Sequence, residues 1–135
     1  MERKNKILIF LVLICTLIII VFIVNLPLNK EVISTKFVLG ENMGFDLTPG
    51  KLNFGKITPN NSASREITVE NNYDKLIRVN IKSSGEISEN MIVSENNFIL
   101  APLESKNVVF SVYTFGLTEF RDYKGKISIV SRVIY

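Results

Sequence analysis

Histidine is missing from all 135 residues, and cysteine occurs once, at position 15. Without histidine the chain cannot build a Ser-His-Asp relay, lacks the common general base at neutral pH and has few routes to a zinc site. Cys15 falls inside an apolar run, so no thiol nucleophile is offered elsewhere. Carboxylates remain, but Glu66 and Glu70 alternate with Ile67 and Val69 and read as the solvated side of a strand rather than a catalytic pair. Glu86, Glu89 and Glu95 match no calcium-loop spacing. No catalytic, metal-binding or cofactor-binding residue is assigned, and the chain is expected not to be an enzyme.

Charge of one sign is also scarce. The formal net charge is +3, of which Arg3, Lys4 and Lys6 against Glu2 supply +2, leaving thirteen basic and twelve acidic residues from Asn25 onward. That balance predicts no strong field and hence no nucleic-acid partner, because polyanion binding needs clustered basic residues.

One long run of charge-free sequence is present. Residues 7–24, ILIFLVLICTLIIIVFIV, would span roughly 27 Å as a helix, close to the hydrocarbon thickness of a bilayer. Small residues of the A-x-A type are missing after it, where the chain continues Val24-Asn25-Leu26-Pro27-Leu28. An uncleaved signal anchor is therefore expected in place of a cleaved signal peptide. Ile14 before Cys15 does not suit a lipobox. The basic residues of segment 1–6 outweigh those just past the run, which predicts a cytoplasmic N-terminus and an extracytoplasmic C-terminal domain on a single-pass membrane protein.

Residues 25–44 read as a stalk or linker, with Lys36–Leu39 as a first strand that joins the domain. From residue 45 to 135 the period becomes two: Leu52 and Phe54; Ile67 and Val69; Ile77, Val79 and Ile81; Val108, Phe110 and Val112; Ile127, Ile129, Ser131 and Val133. Turn-forming clusters separate these runs at about ten-residue intervals, among them Thr48-Pro49-Gly50, Thr58-Pro59-Asn60-Asn61, Asn71-Asn72-Tyr73-Asp74 and Glu95-Asn96-Asn97. The fold expected is all-β, an antiparallel sandwich of about seven strands behind one N-terminal transmembrane helix.

Leu52, Phe54, Gly55, Ile57, Pro59, Arg65, Ile67, Val69 and Asn71 form the run L-x-F-G-x-I-x-P-x(5)-R-x-I-x-V-x-N. It resembles the start of PapD-like and major-sperm-protein-like immunoglobulin domains, including the ASH group. The likeness continues through Phe98-Ile99-Leu100-Ala101-Pro102-Leu103-Glu104-Ser105 and ends with Tyr123-Lys124-Gly125-Lys126-Ile127-Ser128-Ile129, covering roughly residues 46–131. It implies an immunoglobulin-like sandwich and leaves function open, because that architecture hosts chaperones, cytoskeletal proteins, adhesins and stalk modules.

Residues 113–123, YTFGLTEFRDY, hold the candidate interaction patch Phe115, Leu117, Phe120 and Arg121. The alternative for its aromatics is to cap the core, with Tyr123 bonding backbone at a corner. Asn60 opens the formal N-glycosylation triplet Asn60-Asn61-Ser62. Three roles stay open at this stage: a structural or protein-interaction domain at the cell envelope, with the bilayer and an envelope protein as partners; a chaperone-like or ligand-binding module that uses an exposed sheet edge; and a stator-like accessory of a surface appendage. A polymerising pilin is disfavoured, since Asn5-Lys6 leads straight into Ile7 without the Gly and early Glu of a pilin leader.

Overall fold

A computed structural model describes residues 2–44 and 52–134. The turn expected at Thr48-Pro49-Gly50 lies outside the described residues. The first element, α1, runs Glu2–Val24. Its stretch Lys4–Val24 has a mean hydropathy of 3.7, is 0% buried, and is long and apolar enough to cross a membrane. The helix has no polar face, and its one hydroxyl, on Thr16, donates to the Leu13 carbonyl at 2.8 Å. Asn25 closes it, the side-chain amide donating to the Val21 carbonyl at 2.8 Å, and Pro27 prevents its continuation.

Four residues later the chain enters β1 (Asn29–Leu39), followed by β2 (Leu52–Ile57), β3 (Ser62–Glu70), β4 (Ile77–Gly85), a 3-10 turn at Glu86–Asn90, β5 (Met91–Val93), β6 (Phe98–Leu100), β7 (Ser105–Tyr113) and β8 (Asp122–Val133). They form a five-stranded sheet, β2-β1-β8-β4-β6, and a three-stranded sheet, β3-β7-β5. The described residues thus hold eight strands, not about seven. One pair, β1 with β2, is parallel; the other strand pairs are antiparallel. Both sheets contribute to one apolar cluster, in which Phe37, Phe54, Ile77, Phe110 and Ile127 are almost fully enclosed.

The expected first strand, 36–39, proves to be the last third of β1. Residues 29–38 pair with β8 along ten consecutive positions, so the stretch read as a stalk is a central strand. β2 departs from simple alternation as well. Leu52, Asn53, Phe54 and Gly55 are all buried, because the register with β1 slips by one residue between Lys36 and Val38. Gly55 absorbs the slip at a φ of 77°, a left-handed angle that favours glycine at a bulge.

The loops are tied from inside. Asn71 is 1% exposed, and its amide nitrogen donates to the carbonyls of Lys75 (2.8 Å), Leu100 (3.2 Å) and Ala101 (2.8 Å) while its Oδ1 accepts from the Tyr73 N–H. Asn71→Ala would orphan those buried groups and is expected to cost about 2 kcal/mol, within the usual 1–3 for an unsatisfied polar site. Chemical denaturation checks this as a lower midpoint at unchanged slope. Asn96 performs a similar task where the chain crosses between sheets: its side chain exchanges two 2.7 Å hydrogen bonds with the backbone of Ile81.

Candidate interaction surfaces

The register sets two poles. Asn29 pairs with Ser131 at one end of β1, next to α1, whereas Val38 pairs with Asp122 and Leu39 with Ile57 at the other. Eleven residues of strand separate the poles by roughly 33 Å. The β2–β3 turn and the β7–β8 loop therefore meet at the end remote from the helix. Buried Thr114 joins them, donating its hydroxyl to the Thr58 carbonyl (2.7 Å) and accepting from the Asn61 N–H (3.0 Å).

This far pole carries the residues singled out from the sequence. Phe115 and Phe120 are 60% and 58% exposed; they project to solvent and do not cap the core. Leu117 packs against the core. Arg121 bonds Glu119 and Glu86, both at 2.9 Å, and its guanidinium lies 4.3 Å from the Tyr123 ring centre. Its hydrogen bonds to the carboxylates of Glu119 and then Glu86 raise its pKa above the ordinary arginine value. Its charge is already engaged, so the apolar part of the patch open to a partner reduces to the two phenylalanines. Tyr123 takes the corner position expected of it, stacking on Phe37 at 4.8 Å and donating its hydroxyl to the Glu119 carbonyl at 3.2 Å. Asn60 is exposed on the adjoining turn, with a φ of 56°.

A second surface was not visible in the sequence. Alternation on the three central strands of the larger sheet sends Lys30 and Lys36 of β1 and Arg78 and Lys82 of β4 away from the core. Lys124, Lys126 and Arg132 of β8 join them, with Asp122 the one acid at the outward positions of these strands. Of the twelve basic and eleven acidic described residues from Asn25 onward, seven and one stand at these outward positions, which leaves five and ten at other positions. A chain with almost no net charge here is electrically two-sided. The expectation of no strong field was read from the summed charge, which does not describe how charge is distributed over this face.

The outer side of the smaller sheet is its opposite. Its charged outward positions on β3 are Glu66 and Glu70, both exposed, set among hydroxyls and amides: Ser64 bonds Ser111 at 2.7 Å, and Asn107 bonds Glu66 at 2.8 Å and Thr68 at 2.9 Å. Glu95 pairs with Lys106. Among the described residues there is no group of three or more His, Cys, Asp or Glu side chains placed to hold a metal ion.

Among the described residues the longest edge strand is β3. Strand β3 has nine residues and pairs with β7 alone. Along its last half runs a groove of about 220 Å³ whose lining includes Glu31, Thr68, Glu70, Asn72 and Ser131 beside Ile67 and Val69. Polar groups and two carboxylates thus border the edge. No family model matches the chain, and no curated protein or solved structure matches it.

Proposed function

We propose that the chain is a single-pass membrane-anchored protein whose immunoglobulin-like sandwich serves a structural or protein-interaction role outside the cytoplasm, at the cell envelope, without catalysis. The two-pole arrangement carries this reading: a fully unburied apolar helix enters the domain at one end, and two exposed phenylalanines stand at the other. Exposed aromatics are the residues interfaces favour, and a position roughly 33 Å from the anchor suits contact with a neighbour in the envelope.

The edge-strand alternative is weaker. Strand addition is driven by free backbone groups beside pockets for apolar side chains, whereas the β3 groove is bordered by Glu31 and Glu70, and inward or flanking charge is a common way to blunt an edge.

The full chain should remain with membranes after alkaline extraction, and protease added to intact cells should remove residues beyond α1. Retention of an undigested domain in intact cells, with digestion after lysis, would reverse the topology. A photo-cross-linking residue at Phe115 or Phe120 should yield a discrete adduct in cells that is missing when the same residue replaces Ser105 on the smaller sheet. Equal labelling from all three positions would remove the far pole as the contact site.

A further inference from the structure

We infer that the basic outer face of the five-stranded sheet docks on anionic lipid headgroups of the bilayer that holds α1, so that the domain lies along the membrane. This rests on the anchored reading above and adds a ligand to it. Residues 25–28 are the whole connection between α1 and β1, and four residues reach at most about 14 Å. The start of β1 is thereby held at the headgroup level. Val24 and Asn25 at the helix end line a cleft of about 380 Å³ together with Arg78, Asn80 and Arg132. The cations of β4 and β8 therefore begin where the apolar helix stops.

The face is chemically suited to a lipid surface. Among the described residues Lys30, Arg78, Lys82, Lys126 and Arg132 make no ion pair, and Lys124 reaches Asp122 only at 3.9 Å. Exposed aliphatic side chains stand between the cations. Val32, 52% exposed, shares the outward side of β1 with Lys30, Leu28 just before the strand is 38% exposed, and Ile99, 47% exposed, pairs with Arg78. A mixture of Lys/Arg with aliphatic residues is the signature of an interfacial surface: the charges meet phosphates and the aliphatic groups enter the headgroup boundary. A soluble polyanion would satisfy the cations and leave Val32 and Ile99 wet. Glu66 and Glu70 lie on the outer side of the other sheet, so repulsion from an anionic bilayer favours the same orientation. The far pole stays accessible, because it projects sideways along β1.

The test uses the full chain in a Cys15→Ser background, reconstituted in vesicles, with a fluorophore on Ser34→Cys on the basic face or on Ser105→Cys on the opposite sheet. Quenchers attached to lipid headgroups report proximity. In phosphatidylcholine containing phosphatidylglycerol the Ser34 label should be quenched several-fold more than the Ser105 label. High salt should bring the two toward parity, since screening confines such attraction to about 8 Å at physiological ionic strength and less above it. Combined substitution R78Q, K82Q, K126Q and R132Q, all at exposed positions, should do the same without lowering the melting temperature. A ratio that is the same in neutral and anionic vesicles overturns the inference. Soluble inorganic polyphosphate that displaces the label's signal when anionic lipid does not would also overturn it, in favour of a polymer ligand. Failure of the protein to float with vesicles would instead strike the anchored reading, and is scored separately.

Discussion

A chain beginning at Gly40 is expected to stay unfolded, while one beginning at Asn25 folds. The difference is β1, and its removal takes away the strand between β2 and β8. Phe37, Leu39 and Thr35 are 0%, 1% and 3% exposed, and Thr35 holds β2 by donating to the Leu52 carbonyl at 2.8 Å. Truncating one buried Phe costs about 3–5 kcal/mol and one buried Leu about 2–5, before any ladder hydrogen bond is counted. Together these approach the whole stability of a domain this size, about 5–15 kcal/mol. Removal also strips β8 of ten paired residues. Far-ultraviolet circular dichroism and a thermal melt decide the matter: a cooperative transition in the 40–135 fragment equal to that of 25–135 would return residues 29–39 to the status of a linker.

Gly125→Ala is the second substitution with a large expected effect. A Cβ at that position would stand 2.3 Å from the Ser84 carbonyl oxygen and 2.4 Å from Ile87 Cγ2. The oxygen belongs to backbone and cannot swing aside. Gly85 faces Gly125 directly in the β4–β8 register, at a φ of 86°, and its own added Cβ would meet the Gly125 Cα at 2.8 Å. The two glycines let β4 end against β8 while Ile87, 0% exposed, drops into the core from the 3-10 turn. Forcing a methyl into this contact is expected to cost about 3 kcal/mol, the upper end for overpacking. That lowers the melting temperature by roughly 12–24 °C for a domain of 60–100 residues. Gly116→Ala is the control. It has a φ of 77° but nothing within 4 Å of the added Cβ, so only the left-handed backbone opposes it, at about 1–2 kcal/mol. If Gly116→Ala is the more damaging of the two, close strand approach is not what Gly125 provides.

The strands that follow simple alternation were legible from the sequence, and those that depart from it were not. Ile77, Val79 and Ile81 face the core as their spacing predicts, as do Val108, Phe110 and Val112. In β1 the pattern is broken, with apolar Val32 outside and polar Thr35 inside. Its first half has β8 as a partner on one side only, so nothing in the local residues marks it as central. Gly125 was visible as part of a Y-x-G-x-I-x-I run, but its reason lies at Ser84 and Ile87, some forty residues away. The basic face shows the same limit most clearly. Arg78 and Arg132 are neighbours only through the β4–β8 register, and a summed charge cannot reveal how it is distributed. Within the patch at 113–123, exposure of Phe115 and Phe120 was readable as a possibility of composition. Arg121 pairs with Glu119 of the same segment and also with Glu86, which arrives from the 3-10 turn.

The direct join of helix to strand also sets how the molecule bears a load. Tension between a neighbour gripping the far pole and a helix held in the bilayer would run lengthwise along β1, stressing its ten rungs to β8 at once in place of peeling them one after another. Such lengthwise slip is the stiff direction of a ladder, so an anchor led straight into a strand laddered to β8 gives this small protein the grip of a tether.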